Sequence, residues 1–336
     1  MISDIWLLVT AYLAKWGIAL IPKWVAEIAV TEEKSDMQTA TLLNRWLSFA
    51  FSKPEPGSAN WYFRRDRPAL LSFYVILFMI FITIAAPILT PYPEQGLGDP
   101  NITEKFLPPS LAHPFGTDDL GRDLLARVMF GARTSLIASF AIVGVSMIIG
   151  TLLGAIAGYF GGWIDEVIMR ITDIFLAFPP LLLAITIASV LEPNLGNSVL
   201  AVAMTWWPWY TRIVRAQAIS IRERNFVRAA HSMGVSDWAI IRRHILPNVL
   251  TPVLVQATLD LGSALLTMAG LSFLGLGVQP PTADWGVMVN EGRSHVQSGR
   301  WWIGLFPGLA IFITTMAFNL LGDGVQAAMD PRIRGT

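Results

Sequence analysis

Few side chains in this sequence have the types and spacing that catalysis requires. The chain contains no cysteine, which excludes disulfides, thiolate metal sites and cysteine nucleophiles. The four histidines lie in separate segments, at His113, His231, His244 and His295. No Gly-Lys dipeptide occurs, so there is no Walker A loop, and neither H-E-x-x-H nor G-x-S-x-G is present. The sequence therefore predicts a protein that is not itself an enzyme.

One carboxylate, that of Asp260, lies deep within a long apolar stretch. An ionisable group inside a membrane helix is costly to bury, and by default it indicates a function. The alternative is that a neighbouring group satisfies the carboxylate by a hydrogen bond, on a helix that also contains Gly and Ser. Both interpretations stay open at the level of the sequence.

The overall composition indicates a protein embedded in a lipid bilayer. Hydrophobic residues make up 54% of the chain and charged residues 14%, and the mean hydropathy is +0.53. The formal net charge is zero, which gives nucleic-acid binding no electrostatic support. We therefore expect the chain to contact the lipid bilayer and not to bind nucleic acid.

Six apolar segments are long enough to cross a membrane as helices. They are residues 70–89, 135–158, 167–191, 198–219, 249–274 and 303–321. Arg64, Arg65 and Arg67 precede the first segment, and basic residues hold that end of a span in the cytoplasm. Both ends of the chain are then expected in the cytoplasm, and the polar loops 90–133 and 275–300 are expected outside.

The sequence divides into four predicted regions. These are an N-terminal extension with a cytoplasmic linker (1–66), a first span with its extracytoplasmic loop (67–134), a core of five spans (135–325) and a cytoplasmic tail (326–336). Within the extension, residues 5–21 are apolar but too short for a span and contain Lys15. They predict a helix lying in the membrane interface.

A stripe of small residues runs along the second predicted span. Ser146, Gly150, Gly154 and Gly158 recur at every fourth position, so they share one face of a helix. Helices in lipid associate where small residues let their backbones approach closely. We interpret the stripe as a packing seam rather than as a substrate path.

Charged residues near the spans predict particular ion pairs. Residues 119–130 have an amphipathic pattern that predicts a helix, with Asp123 and Arg127 paired one turn apart. Arg170 and Asp173 lie near the cytoplasmic end of the third span. They predict either a mutual ion pair or a contact in a gate.

Two further features lie near the middle of the membrane. Pro179 and Pro180 interrupt the third span, and broken helices are tolerated where they line a cavity or are buried in protein. The aromatic cluster 206–210 is too deep for an interfacial belt, so it either packs or lines a path. Judged by depth alone, the candidates for lining a path are Pro179, Trp207, Trp209, Asp260 and Met268.

The segment 222–248 is long, polar and strongly cationic, and it lies between apolar segments. Apolar residues recur at helical spacing on both sides of Gly234. This pattern predicts two short amphipathic helices joined at the glycine, with Pro247 ending the second. A helix pair at the membrane surface cannot bury its apolar face in the bilayer, so it needs a partner to cover it.

The spacing within this segment resembles the EAA loop of ABC importer permeases, which reads Glu-Ala-Ala, three residues, Gly, nine residues, Ile-x-Leu-Pro. The corresponding positions are Arg228, Ala229, Ala230, Gly234, His244, Leu246 and Pro247. Arg228 stands in place of the glutamate of this motif, and His244 stands in place of its isoleucine.

Three other stretches resemble one subfamily, the dipeptide, oligopeptide and nickel permeases, in the member usually encoded second of the pair. They are HPFGTDDLGRD at 113–123, LSFLGLGVQPP at 271–281, and NLLGDG at 319–324 followed by DPR at 330–332. Together the matching stretches cover about residues 65–335. Met268 stands where the family often carries a glutamate, so no role is transferred to it from the family.

The resemblance implies an all-α integral membrane protein with the type I ABC importer transmembrane domain, six spans and a cytoplasmic coupling helix in the EAA loop. It implies a permease subunit in a prokaryotic inner membrane that imports di- or oligopeptides by alternating access. The implied partners are a homologous permease, two ABC ATPase subunits and an extracytoplasmic solute-binding protein. No cofactor is expected in this chain, because the ATPase subunits would bind ATP and Mg²⁺.

In such importers the short helix after the glycine sits in a groove on an ATPase subunit. The expected coupling residues are Arg228, Ala229, Ala230, Gly234, Ser236, Trp238, Ile241, Arg242 and Pro247. Trp238 and Ile241 are expected to be the buried anchors in that groove, since large aromatic residues in desolvated pockets dominate binding energies.

Two alternatives remain at this point. Nickel chelates and oligosaccharides are carried by closely similar permeases, so the substrate class is open. An ion-coupled secondary transporter would show carboxylates and broken helices repeated in two halves, whereas Asp260 is the one deep carboxylate found in the sequence.

Overall fold

The computed structural model describes residues 59–329, and the predictions for 1–58 and 330–336, including the interfacial helix at 5–21, lie outside that range. Within it the chain is helical, and its one β-bridge joins Thr117 to Asp123. The helices are α1 (Ala59–Arg65), α2 (Arg67–Leu89), α3 (Pro93–Leu97), α4 (Leu124–Phe160), α5 (Gly162–Leu176), α6 (Pro180–Val190), α7 (Leu195–Arg222), α8 (Asn225–Ser232), α9 (Asp237–Phe273), α10 (Trp285–Arg293) and α11 (Trp302–Met329). Short 3₁₀ turns occupy Ile102–Glu104 and Val296–Ser298.

Four helices are long and apolar enough to cross a membrane, namely α2, α4, α9 and α11. The pair α5 and α6 would make a fifth span if counted together, and the two helices are bent by 88° at their break. Helix α7 has 28 residues, but it does not reach the apolar composition of the others. Four or five spans are therefore shown for residues 59–329, and the count of six stays a prediction.

The helix ends gather at two opposite faces of the bundle. At the first, Arg222 at the end of α7 donates a hydrogen bond to the carbonyl of Tyr159 at the end of α4, at 3.0 Å. At the second, Ser198 at the start of α7 donates to the carbonyl of Leu276, just beyond α9, at 2.9 Å. We call the first face the basic end, since it carries the cationic segment, and the second the loop end, since it carries the polar loops.

The small-residue stripe is confirmed as a packing seam between α4 and α7. A Cβ atom on Gly150 would lie 2.4 Å from Cβ of Tyr210, and one on Gly158 would lie 2.7 Å from Cβ of Ala218. Both distances are shorter than a non-bonded carbon contact allows, so only glycine permits this approach.

The predicted helix at 119–130 is wrong in its start and in its ion pair. Helix α4 begins at Leu124, and Asp123 caps it by accepting a hydrogen bond from the Ala126 amide at 2.7 Å. The preceding residues form a turn, because one oxygen of Asp118 accepts from the amides of Leu120 and Arg122, both at 2.9 Å. A side chain that bonds the local backbone in this way competes with helix formation.

Arg127 therefore finds other partners than Asp123. One of its guanidinium nitrogens donates to Asp118 at 2.9 Å and to Glu291 of α10 at 2.6 Å. Asp123 contacts His113 instead, at 2.8 Å. The partner Glu291 is 164 positions away in the chain, which local spacing could not indicate.

The predicted ion pair between Arg170 and Asp173 is also wrong. Arg170 faces Glu166 on its own helix at 3.4 Å, whereas Asp173 accepts a hydrogen bond from Arg212 of α7 at 2.6 Å. A second carboxylate of α5, Asp165, pairs with Arg215 of α7. Arginines on the neighbouring helix thus replace the partner that the sequence offered. The break predicted at Pro179 and Pro180 is confirmed, since α5 ends at Leu176 and α6 begins at Pro180.

The second short helix predicted in the cationic segment is not separate. Asp237–Phe273 is one continuous helix, and Pro247 lies inside it rather than at an end. Residues Ile241–Ile245 form a π-helical turn, and the Leu246 amide bonds to the carbonyl of Ile241, five positions earlier. The wider turn accommodates proline, whose missing N–H and ring oppose an ordinary α-helical turn.

Candidate functional site

The cationic segment lies at the basic end as a helix, a tight turn and the first turns of α9. Gly234 occupies the turn with φ +79°, a left-handed conformation that favours glycine. Val227 and Ala230 of α8 face the bundle and are buried. Three large apolar side chains remain exposed: Phe226 at 45%, Met233 at 76% and Trp238 at 64%. We call these three residues the coupling surface.

The structure divides the predicted coupling residues into two groups. Arg228, Ala229, Gly234, Ser236, Trp238, Arg242 and Pro247 are exposed, whereas Ala230 and Ile241 are buried. Ile241 is only 3% exposed, so the expectation that it anchors in a partner protein is wrong. It points into the core of this chain because it lies in the π-helical turn with Ile245, which is also buried.

Polar contacts join the segment to the neighbouring helices. The hydroxyl of Tyr159, at the end of α4, donates to Asp237 at 2.6 Å. Arg228 pairs with Glu223, which precedes α8 and also contacts Arg222. The guanidinium groups of Arg228 and then Arg222 hold the pKa of the Glu223 carboxyl below its usual range. At position 228, where the EAA pattern has a glutamate, this chain thus has a cation and no carboxylate.

A groove of about 440 Å³ lies between α4 and the start of α9. Leu152 and Ile156 line its α4 side, while Trp238 and Arg242 line its α9 side. The groove places an apolar recess beside the exposed tryptophan. This arrangement is typical of a docking surface, in which an aromatic side chain adjoins a pocket.

The predicted path residues differ in how far they are buried. Pro179 is exposed at the break between α5 and α6. On α7, Trp207 is buried and packs edge-on against Phe175 with ring centroids 5.4 Å apart, whereas Trp209 is 52% exposed. Met268 is buried at 1% exposure. Trp207 is therefore a packing residue in this chain, and the aromatic cluster has both a packed and an exposed member.

Asp260 lies near the middle of the membrane-spanning part of α9 and is half-buried. One of its oxygens accepts a hydrogen bond from the Gln256 side chain, one turn earlier, at 2.9 Å. The hydrogen-bonded alternative raised by the sequence is thus present. It does not exclude a function, because no cation neutralises the carboxylate among residues 59–329.

Sequence reasoning missed a buried polar cluster at the loop end. Arg122 and Arg127 both donate to Asp118, and all three side chains are buried. Asp284, at the start of α10, accepts from Ser135 at 2.8 Å and from the Gly286 amide at 3.0 Å. Burial raises the pKa of the Asp284 carboxyl above its usual range. The motif at 113–123 indicated the part of this cluster that precedes α4. Nothing in the sequence indicated the partners that α10 contributes.

No group of three or more side chains suited to holding a metal ion occurs in the described range.

Comparison with known families decides what kind of protein carries these surfaces. The family described as "Binding-protein-dependent transport system inner membrane component" matches residues 150–335, more than half of the chain. This chain belongs to that family of inner-membrane permeases. A second family, the N-terminal transmembrane domain of oligopeptide transport permease C, matches residues 58–109 of the permease.

Several curated proteins are similar over most of their length. The dipeptide transport system permease protein DppC of Alkalihalophilus pseudofirmus is 44% identical over 271 residues, covering 81% of this permease and 88% of the relative. The probable D,D-dipeptide transport system permease protein DdpC of Escherichia coli K12 is 43% identical, covering 82% and 91%. The glutathione transport system permease protein GsiD of Pectobacterium atrosepticum is 42% identical, covering 81% and 89%.

These relatives are transport permeases of ABC importers, so the expectation that the chain is a transporter subunit and not an enzyme is confirmed. The family description also confirms that the permease is an inner-membrane component of a system that works with a binding protein. Among solved structures, a crystal structure of an amino acid ABC transporter with histidines covers 59% of this chain at 18% identity and a TM-score of 0.45.

Proposed function

We propose that this permease carries di- or oligopeptides across the inner membrane by alternating access, driven by ATP hydrolysis in partner ATPase subunits. The names of the similar permeases refer to dipeptides, D,D-dipeptides and glutathione, all of which are peptides or peptide-like. This agreement favours a peptide substrate over nickel chelates or oligosaccharides. ATP and Mg²⁺ would bind to the ATPase subunits, and no cofactor is needed in this chain.

The observation that carries the proposal is the coupling surface at the basic end. Phe226, Met233 and Trp238 expose apolar area next to a groove and to several arginines. An apolar patch of this kind marks a site of protein interaction when it lies outside the bilayer. An ATPase subunit that covers Trp238 would remove this area from water and hold the start of α9.

The orientation follows from the charges. The basic end carries Arg64 and Arg65 before α2, Arg67 at the first position of α2, and the arginines of the segment 222–248. These basic residues favour a cytoplasmic location for this end. The loop end would then face the extracytoplasmic binding protein. We further propose a heterodimer with a homologous permease, two ATPase subunits and both chain ends in the cytoplasm.

The geometry supports a direct mechanical role for α9. Because Asp237–Phe273 is one continuous helix, a displacement of Trp238 is transmitted to the membrane-spanning part without an intervening loop. Ile241 and Ile245 fix the first turns of this helix to the core. Closure of the ATPase pair would thus tilt α9 against α4 and α7, a rigid-body change between two states.

Two substitutions test the coupling surface. Trp238→Ala removes its large aromatic side chain, and Gly234→Pro replaces the residue that adopts positive φ, which proline cannot adopt. We expect both to reduce co-purification of the ATPase subunits and peptide-stimulated ATP hydrolysis by about tenfold or more, as loss of an interface hot spot of about 2 kcal/mol would.

Trp163→Ala is the matched control, because Trp163 of α5 is 74% exposed but lies outside the segment 222–248. It should leave both measurements near wild type. Wild-type co-purification and ATP hydrolysis in both Trp238→Ala and Gly234→Pro would refute the proposed coupling surface.

A further inference from the structure

Helix α9 carries a polar stripe through the middle of the membrane. Gln256, Asp260, Ser263 and Thr267 follow one another at intervals of four, three and four residues. At 100° per residue these positions fall within about 60° of one another on the helix surface. We call these four residues the polar stripe.

This chain does not cover the polar stripe. Ser263 is exposed, and Gln256, Asp260 and Thr267 are only partly buried. By contrast, Leu261, Ala264 and Met268 on the other side of the same turns are buried in the bundle. Lipid cannot satisfy a carboxylate, an amide and a hydroxyl group, so the face needs either water or a polar partner.

Asp260 differs from the carboxylates of α5. Asp165 and Asp173 each face an arginine of α7, and Glu166 faces Arg170 of its own helix. Within the described chain, Asp260 has only the neutral Gln256 amide and the nearby phenol of Tyr210. It is thus a deep carboxylate that has no cationic partner among residues 59–329.

We propose that the polar stripe lines the translocation path and that Asp260 binds the protonated amino group of the substrate as it passes. The inference rests on the proposed peptide import and specifies its chemistry, a substrate carrying a primary ammonium group such as a free peptide N-terminus. The ammonium group supplies the missing cation. Gln256, Ser263 and Thr267 offer the neutral hydrogen-bonding groups that suit the peptide backbone of varied substrates.

The absence of cysteine makes accessibility of the stripe directly measurable. Ser263→Cys and Thr267→Cys each introduce a single thiol into this chain. In the assembled transport complex we expect both thiols to react with water-soluble methanethiosulfonate reagents. Leu266→Cys is the matched control, because Leu266 lies at the same depth, is 58% exposed and belongs to the apolar flank of α9. It should react at least about tenfold more slowly.

The charge of the reagent tests the role of Asp260 separately. At Ser263→Cys, a trimethylammonium reagent should react faster than a sulfonate reagent of similar size, because Asp260 lies one turn away. Adding Asp260→Asn should reduce this cation preference by about tenfold, given the Coulomb interaction of unit charges at such a distance. Equal preferences with and without Asp260 would overturn the proposed cation site.

The third measurement is the uptake of a peptide by the assembled complex. Uptake of trialanine by the complex should fall about tenfold in Asp260→Asn and be largely retained in Asp260→Glu, which keeps the charge. Trialanine should also protect Ser263→Cys from labelling when ATP is present. Loss of uptake without protection, or labelling that is equal at Leu266 and Ser263, would count against a path and indicate a face covered by the partner permease.

These measurements distinguish a failure of the proposed peptide import from a failure of the proposed role of the polar stripe. A complex that hydrolyses ATP but takes up no peptide refutes the peptide substrate, while the labelling pattern and the charge preference still decide whether the stripe is an aqueous cation site. Peptide uptake with an unreactive stripe supports the proposed function and refutes this inference.

Discussion

Buried polar residues at the loop end determine how the segments at that face of the bundle are held. Asp284 is 1% exposed, and its carboxylate links Ser135 of α4 to the first amides of α10. The guanidinium group of Arg127 likewise links Asp118 to Glu291 of α10. Both are long-range contacts between polar groups, and removal of one partner leaves the other buried without compensation. Single residues here therefore fix the relative position of two loops.

Asp284 makes stability depend on pH in a defined direction. Burial raises the pKa of this carboxyl, so the folded chain retains the proton to a higher pH than the unfolded chain does. The stability contributed by this group is complete at low pH and falls as the pH rises from about 4 through the folded pKa. We expect Asp284→Asn, which keeps a capping oxygen, to remove this part of the pH dependence.

The measurement is the unfolding temperature of the purified permease between pH 4 and 8. Asp284→Ala serves as the comparison, because it removes the cap and should destabilise the protein by about 1–2 kcal/mol throughout that range. If the unfolding temperature of Asp284→Asn changed with pH as steeply as that of the wild type, a group other than Asp284 would be responsible for the pH dependence.

At the scale of elements, the apolar runs predicted the positions of the helices but not all of their limits. The start of α4 at Leu124 depends on a turn that Asp118 stabilises. The continuity of the cationic segment with α9 depends on a π-helical turn before Pro247. Neither feature has a strong local signal. The small-residue stripe of α4 was predictable because its four-residue period is itself the geometry of a helix face.

The close packing of α4 against α7 can be tested at Gly154. A Cβ atom on Gly154 would lie 2.6 Å from the carbonyl oxygen of Thr211, which is backbone and cannot rotate away. We expect Gly154→Ala to destabilise the permease by about 1–3 kcal/mol, as overpacking does. The measurement is the unfolding temperature and the yield of the assembled complex.

Gly144 on the same helix provides the matched control, because a Cβ atom there would meet nothing within 4 Å. Gly144→Ala should be neutral or stabilising by up to about 1 kcal/mol, as expected from helix propensity. Equal effects of the two substitutions would mean that helix propensity, and not close packing, governs the α4 seam.

For the whole molecule, sequence and structure agree on what kind of protein this is and differ on how its parts are connected. The helical class, the break at Pro179 and the cationic segment followed from composition and local pattern. Ile241 was misjudged because burial depends on which face of α9 meets the bundle, and a short amphipathic pattern does not determine that face. The ion pairs of Arg127 and Asp173 were misjudged because their partners lie on other helices.

The connection between the basic end and the membrane-spanning region can be tested at Tyr159. Its hydroxyl joins the end of α4 to Asp237 at the start of α9, at 2.6 Å, so it couples the two helices that would move against each other. Tyr159→Phe removes this hydrogen bond and little else. We expect the amount of peptide imported per ATP hydrolysed to fall about two- to tenfold, given that such a bond contributes about 0.5–1.5 kcal/mol.

Tyr74→Phe is the control, since Tyr74 of α2 is 59% exposed on the outside of the bundle. It should leave the ratio of import to ATP hydrolysis unchanged. The ratio separates coupling from docking, because weaker binding of the ATPase lowers import and hydrolysis together, whereas a loosened α4–α9 contact lowers import alone. A ratio that stays at the wild-type value in Tyr159→Phe would mean that α9 transmits its motion without help from α4.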